Sequence, residues 1–119
     1  AYRKLECYDL CRLPLPFNTH SYDCIIAMAL LSYIEDRKGF LHDVVRIARP
    51  GGLLIFTHRD DRLEDIIGDG VELALQALAS SNIAHIICRE SNLPYYPNYA
   101  TDGYPDVTVS VIVLRISPM

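Results

Sequence analysis

Two short apolar segments separated by an amphipathic one constrain the fold of this chain most strongly. Tyr22 to Ala27 (YDCIIA) and Leu53 to Thr57 (LLIFT) are almost continuously apolar, which is typical of parallel strands covered on both faces. The residues between them carry apolar side chains at helical spacing. A strand, a helix and a second strand in this order predict an α/β fold.

The intervening helix has signals at both ends. Asp36 is a suitable N-cap, and Pro50-Gly51-Gly52 is expected to stop the helix sharply. We therefore predict that Ala48 and Arg49 lie in its last turn. The apolar stripe comprises Phe40, Leu41, Val44, Val45, Ile47 and Ala48.

The remaining chain predicts further strands and helices. A short strand is expected over Tyr2 to Tyr8, and a helical region should run from Asp60 or Asp61 to about Ala79, interrupted near Gly68 and Gly70. The β-branched segment Val107 to Ile116 (VTVSVIVLRI) predicts the last strand. The preceding strand is expected over Ile83 to Cys88, followed by a loop from Glu90 to Pro105. Because no helix joins these two final strands, they should be antiparallel at one edge of the sheet.

Composition excludes some classes of function. The 119 residues suffice for one small domain, and half of them are hydrophobic. No apolar run is long enough to span a membrane, so we expect no membrane partner and a cytoplasmic location. The net charge is −4 and the basic residues are scattered. Nucleic-acid binders usually carry a basic stripe, so a nucleic-acid partner is disfavoured.

The four cysteines do not follow a zinc-ligand spacing or a disulfide framework. Cys7 and Cys11 lie near the end of a predicted strand, and Cys24 is expected to be a small core residue within its apolar run. Cys88 ends another predicted strand. We expect reduced thiols and no bound metal.

Several short motifs occur in a defined order. An acidic residue, Asp9, ends the first predicted strand and is followed by Leu13-Pro14-Leu15-Pro16-Phe17. Tyr22-Asp23 opens the next strand, and Arg46 precedes Pro50-Gly51-Gly52 by three intervening residues. Each motif alone is weak, since Pro-Gly-Gly is first of all a helix stop. In this order the chain resembles the second half of class I S-adenosylmethionine-dependent methyltransferases, of the methyltransferase-like group.

The resemblance implies a Rossmann-like sheet that ends with an antiparallel strand, and S-adenosylmethionine as cofactor. It places Asp9 beside the adenine amino group, with the amides of Leu10 and Cys11 facing the ring nitrogens. Ala27 and Met28, at the exit of the next strand, would line the methionine portion. Asp9 could instead cap its own loop, and Met28 could be a core residue.

The methyl acceptor, a small molecule or a protein, would lie over the strand exits. The candidate residues facing it are Ser32, Tyr33, His58, Arg59, Tyr95 and Tyr96. Methyl transfer depends largely on positioning, and a general base is needed only if the nucleophile must lose a proton. His58 is the weak candidate for that role, and a structural histidine is the alternative. The tyrosines of Asn92 to Tyr99 could form a lid or simply cover the sheet edge.

The family's glycine-rich loop has no counterpart, because the first glycine is Gly39. We therefore expect residues 1–119 to be a partial methyltransferase domain, from the third to the seventh strand of the family. In the family order 3-2-1-4-5-7-6 the strand with Cys24-Ile25-Ile26 would have a bare edge. We expect the missing N-terminal half, or a second copy of the chain, to cover it.

Two other functions remain open at this point. The chain could be a binding or interaction domain that keeps the fold without the cofactor, or a nicotinamide-dependent Rossmann enzyme. The Pro-Gly-Gly exit and the antiparallel last strand disfavour the latter. A fold alone does not fix a function.

Overall fold

The computed structural model describes residues 7–28, 30–31, 34–59, 70–94 and 108–118. Two helices and four strands occur in these ranges. The strands are β1 (Tyr22–Ala27), β2 (Ala48–Arg59), β3 (Ala84–Pro94) and β4 (Thr108–Ile116), and the helices are α1 (Arg37–Ile47) and α2 (Val71–Ser80).

The sheet has the strand order β1-β2-β4-β3. β1 and β2 are parallel, as expected for a pair joined by a helix. β4 inserts between β2 and β3 and is antiparallel to both. The prediction of an antiparallel final pair is confirmed, and β3 is the edge strand of that pair.

Only one face of the sheet is packed against the helices. Ala27, Phe56 and Ile112 lie side by side across three strands, and each is at most 7% exposed. They form one hydrophobic core with the apolar stripes of α1 and α2. In the next row, Ile26 pairs with Ile55 on the opposite face, where Ile26 is 64% exposed. The described residues therefore form a sheet with helices on a single side.

Helix α1 begins as predicted and ends earlier than predicted. Asp36 is its N-cap and accepts a hydrogen bond from the Gly39 amide at 2.8 Å. The helix stops at Ile47, because Ala48 already has extended backbone angles (φ −76°, ψ 143°) and pairs with Tyr22 of β1. Arg49 thus belongs to β2 rather than to the last helical turn.

Pro50-Gly51-Gly52 lies inside β2, which starts five residues before the predicted Leu53. Gly51 has φ +79°, a conformation that favours glycine. Gly52 is required for a different reason: a Cβ atom there would lie 2.8 Å from the carbonyl oxygens of both Arg49 and Asp23. The two glycines therefore serve a turn in the chain and the close approach of β1 to β2.

Other boundaries also differ from the predictions. Cys7 and Tyr8 lie outside any strand, and residues 2–6 of that predicted strand are not among the described residues. β3 continues through Glu90 to Pro94, where a loop was predicted, because it stays paired with β4 across two irregularities. Cys24 is exposed rather than buried, since the described residues cover β1 on one face only.

The second helical region is partly described. α2 begins after Gly70, which has a left-handed backbone (φ 71°), and the interruption predicted near Gly68 and Gly70 stays a prediction. The segment 60–69, in which the first helix was predicted, lies outside the described residues.

Candidate functional site

The exits of the two parallel strands lie at one end of the sheet. β1 ends at Ala27 and β2 at Arg59, and parallel strands present their carboxyl ends on the same edge. Ligands of open α/β sheets bind beyond this edge. Ala27 is buried, whereas the next residue, Met28, is 49% exposed. Core packing does not account for Met28, which is available to a ligand at this end.

Asp9 lies in a tight turn. Its Oδ1 accepts a hydrogen bond from the Cys11 amide at 3.0 Å, and its backbone carbonyl accepts one from the Arg12 amide at 3.0 Å. The loop-capping role considered for Asp9 is therefore present. A carboxylate has two oxygens, and this cap uses one of them. The Cys11 amide, which the resemblance assigns to the adenine ring, is engaged within the turn.

An open cleft of about 390 Å³ adjoins the Asp9 turn. Its lining residues are Cys7, Tyr8, Asp9, Arg12, Pro14 and Pro16. An exposed carboxylate beside an aromatic ring fits the adenosyl end of S-adenosylmethionine, because the carboxylate can accept from the exocyclic amine and the ring can contact the base.

The described contacts do not bring the two parts of the predicted cofactor site together. The Tyr8 ring packs edge-on against Phe17, with 5.3 Å between centroids, and Phe17 packs edge-on against Tyr22 at 5.7 Å. Tyr22 begins β1, whereas Ala27 ends it, and six extended residues span about 17–20 Å. The Asp9 turn is thus tied to the opposite end of β1 from Met28.

His58 lies near the end of β2 on the helix-covered face. Its side chain is 1% exposed, it pairs across the sheet with Ser110, and its Nε2 lies 3.9 Å from Oε1 of Glu72. Glu72 in turn accepts from the guanidinium of Arg89. A polar cluster thus joins β2, β3, β4 and the first turn of α2.

Most of the predicted acceptor residues cannot be placed. Ser32, Tyr33, Tyr95 and Tyr96 lie outside the described residues, and for Arg59 only the backbone, as the last residue of β2, is described. The acceptor role of these residues stays a prediction. On the neighbouring strands β3 and β4, the hydroxyl groups of Ser91 and Ser110 form a hydrogen bond of 2.9 Å.

Sequence reasoning did not identify two pairs of charged residues. Glu72 and Arg89 are 17 positions apart, and no local pattern signals their contact. Asp43 and Arg46 are three positions apart on one helix, a spacing at which opposite charges meet, and they form an ion pair with 2.7 Å between Arg46 Nε and Asp43 Oδ1. The second pair could therefore have been predicted from the i, i+3 rule.

Neither a metal site nor a membrane span is found within the ranges that the structure describes. No three His, Cys, Asp or Glu side chains there are grouped so as to hold a metal ion. No helix there is long and apolar enough to cross a membrane. Cys7, Cys11, Cys24 and Cys88 form no disulfide among the described residues.

The strand order and the motif positions define the class of protein. An antiparallel last strand inserted beside a parallel pair, preceded by the Asp9 turn and the Pro-Gly-Gly segment, matches part of a Rossmann-like class I methyltransferase fold. The family described as "Methyltransferase domain" matches residues 3–56 of the chain. The chain therefore has part of a class I methyltransferase-like fold, and its residues 3–56 are similar to the methyltransferase family.

Individual relatives agree with this assignment. A demethylmenaquinone methyltransferase from Clavibacter sepedonicus is 27% identical over 93 residues, which are 77% of this chain and 37% of the relative. The N-methyltransferase NodS from Bradyrhizobium japonicum WM9, with S-adenosyl-L-homocysteine bound, is similar with a TM-score of 0.61 and 18% identity; the match covers 92% of this chain and 52% of NodS. This chain thus spans between a third and about half of these relatives.

Another similar structure is named for a different activity. The [4+2]-cyclase SpnF has a TM-score of 0.66 and 17% identity, over 96% of this chain and 56% of SpnF. Structural likeness at this level of identity shows the fold alone. The reaction of this chain has to be argued from its own residues.

Proposed function

We propose that the chain acts in S-adenosylmethionine-dependent methyl transfer to a small-molecule or protein acceptor. The observation that carries the proposal is the Asp9 turn, which presents a carboxylate beside Tyr8 in an open cleft. The match to a methyltransferase relative over 77% of the chain supports it. When bound, the cofactor would supply an electrophilic methyl group on a sulfonium centre.

The residues of this chain would bind and orient the adenosyl end of the cofactor. Asp9 would accept from the adenine amino group with the oxygen that does not cap the turn, and the Leu10 amide would face a ring nitrogen. The assignment of Ala27 and Met28 to the methionine portion stays a prediction, because the described contacts tie the Asp9 turn to the other end of β1. Orientation of this kind is a large part of catalysis in bimolecular transfer.

The acceptor would approach at the exits of β1 and β2. Ser32, Tyr33, Arg59, Tyr95 and Tyr96 remain the candidate residues on that side. His58 is buried on the helix-covered face, a position from which it would orient the end of β2 through Glu72 more readily than it would reach an acceptor. A direct role of His58 as general base stays a prediction.

We further propose that residues 1–119 correspond to the third-to-seventh-strand part of a complete methyltransferase domain. The glycine-rich loop would be supplied by upstream polypeptide, or the open side of β1 would be covered by a second copy of the chain. Two observations support this proposal: β1 is an edge strand of the described sheet, where an unpaired apolar strand invites pairing, and Ile26 on its open face is 64% exposed. Four exposed cysteines that form no disulfide support a cytoplasmic location, which cell fractionation would test.

The first test is calorimetric titration with S-adenosylhomocysteine. It should be carried out on the 119-residue chain and on a form extended upstream in its coding sequence. We expect binding that is lost in Asp9→Ala and kept in Asp23→Ala, a matched control because Asp23 is an exposed aspartate outside the cleft. Equal binding by both variants would remove Asp9 from the site. No binding by any folded form would overturn the proposed function.

The alternative is a binding or interaction domain that keeps the fold without the cofactor. The specific observation in its favour is that the described contacts tie the Asp9 turn to the opposite end of β1 from Met28. A cyclase among the similar structures shows that this fold also occurs outside proteins named as methyltransferases. Failure of the upstream-extended form to bind S-adenosylhomocysteine would favour this alternative.

A further inference from the structure

The loop that follows the Asp9 turn is held by two side chains of α1. Asp43 Oδ2 accepts from the Leu15 amide at 2.6 Å. Arg46 donates to the carbonyl oxygens of Leu15 and Phe17, both at 3.0 Å, and to the Thr19 hydroxyl at 3.1 Å. Two side chains, three residues apart on one helix, thus fix three positions of one loop.

The two side chains also hold each other. Arg46 Nε lies 2.7 Å from Asp43 Oδ1 and Arg46 Nη2 lies 3.1 Å from Asp43 Oδ2, which is the two-pronged geometry of strong Arg–carboxylate pairs. The hydrogen bond from Arg46 lowers the pKa of Asp43, and the same bond raises the pKa of Arg46. Both groups therefore stay charged throughout the physiological pH range.

The sequence of the loop explains why it needs partners from a helix. Pro14 and Pro16 have no amide hydrogen, so the loop cannot hold itself by a regular backbone ladder. The residues that α1 holds, Leu15 and Phe17, alternate with these prolines. Leu15 is also anchored in the core, at 4% exposed.

The same alternation connects α1 to the candidate adenosyl cleft. Pro14 and Pro16 line the cleft together with Tyr8 and Asp9. Phe17, whose carbonyl is held by Arg46, supports the Tyr8 ring edge-on at 5.3 Å. One wall of the cleft is thus set by the loop positions that α1 fixes.

We propose that Asp43 and Arg46 are positioning residues for the adenosyl-binding cleft, acting through the Leu15–Phe17 loop without touching the ligand. This inference rests on the proposed function. It deepens that function by assigning control of cofactor affinity to a pair on α1. If the Asp43–Arg46 pair is weakened, Pro14, Pro16 and the Tyr8 ring can move. The adenine ring then loses contacts with these cleft residues.

The sharpest variant is Arg46→Lys in the full chain. Lysine keeps the positive charge but replaces the planar fork with a single ammonium group, so it cannot donate to Leu15, Phe17 and Asp43 in the same geometry. Arg49→Lys is the matched control. Arg49 forms an exposed ion pair with Asp23, with 2.9 Å between Nη1 and Oδ1, and neither residue lines the cleft. Should Arg46→Lys fail to fold by circular dichroism, Asp43→Asn replaces it.

Two readouts separate positioning from a general structural effect. Dissociation constants for S-adenosylhomocysteine and for adenosine should rise by the same factor in Arg46→Lys, about threefold to tenfold, because only the adenosyl end contacts the cleft. Arg49→Lys should leave both unchanged. In Arg46→Lys, hydrogen exchange at the amides of Leu15 and Phe17 should become faster, whereas the exchange rates of the β4 amides should stay unchanged.

Each outcome decides a different question. If the unchanged chain binds S-adenosylhomocysteine and Arg46→Lys binds it equally well, the inference is overturned and the proposed function stands. If affinity for S-adenosylhomocysteine falls while that for adenosine does not, the pair acts elsewhere and the inference is again overturned. If neither ligand binds the unchanged chain or its upstream-extended form, the proposed function fails and the inference fails with it.

Discussion

Glu72, in the first turn of α2, accepts hydrogen bonds from the guanidinium of Arg89 on β3. This contact ties the helix to the edge strand of the sheet. It also places a carboxylate 3.9 Å from the buried ring of His58. The contact between His58 and Glu72 thereby links the end of β2 to α2, the next described element along the chain.

Removal of the Arg89 side chain tests this link. Arg89→Ala should lower the free energy of unfolding by about 1 kcal/mol, because a partly exposed, two-pronged ion pair is worth more than a typical surface pair and less than a buried one. Urea unfolding followed by circular dichroism measures the change. Arg115→Ala, an exposed arginine on β4, is the control. Equal effects of both substitutions would show that the Glu72 contact carries no particular weight.

The two faces of the sheet should respond differently to truncation. Phe56 is fully buried among the helices, so Phe56→Ala should cost about 3–5 kcal/mol. Ile26 is mostly exposed on the other face, so Ile26→Ala should change the stability of the 119-residue chain by less than about 0.5 kcal/mol. The urea midpoints of unfolding, analysed with a common m-value, give both changes in the free energy of unfolding. A large loss in Ile26→Ala would mean that something covers this face, such as a second copy of the chain.

The sequence predicted the fold well where a local signal existed. The apolar pattern of Tyr22–Ala27, the Asp36 cap and the β-branched last strand all lie where they were expected. The end of α1 was misplaced because pairing of Ala48 with Tyr22 overrides its helical spacing. Pairing between residues so far apart in the chain cannot be predicted from the sequence around either residue.

The candidate site was less accessible to prediction. The resemblance could nominate Asp9, but only coordinates reveal that its carboxylate caps the Cys11 amide. His58 was expected just after an apolar strand, and only the structure shows that it lies within β2 with a buried ring. The pair Glu72–Arg89 spans two elements whose adjacency the sequence does not encode locally.

Asp43 should give the chain a measurable pH dependence of stability. Its pKa is lowered in the folded state, chiefly by the hydrogen bond from Arg46. Its stabilising contribution is therefore complete above the ordinary pKa of 3.8 and is lost as the pH falls through the lowered value. Asp43→Asn should be less stable than the unchanged chain at pH 7, and the difference should shrink as the pH falls below 3.8.

Thermal unfolding across this pH range measures the Asp43 effect. Asp23→Asn, at an aspartate whose side chain is 79% exposed, is the control and should change stability little at either end of the range. A constant difference between Asp43→Asn and the unchanged chain at all pH values would contradict the assigned cause.

The two glycines of β2 should tolerate substitution unequally. Gly52→Ala should cost about 1–3 kcal/mol, since its Cβ would overlap the carbonyl oxygens of Arg49 and Asp23. Gly51 has open space around it and a positive φ, so Gly51→Asn should cost less, because asparagine visits the left-handed region readily. Melting temperatures of the two variants compare them directly. A milder effect at Gly52 would mean that β1 and β2 separate easily.

The contact at Gly52 also determines what a Pro-Gly-Gly signature can report. The second glycine is demanded by two backbone oxygens, one on each of two neighbouring strands, and neither belongs to a ligand. Any chain that brings these strands together in this way needs the same glycine, whether it transfers a methyl group or, as with a cyclase of similar fold, is named for another reaction. The signature is therefore a marker of architecture, and chemistry has to be diagnosed from side chains that line a cleft, such as that of Asp9.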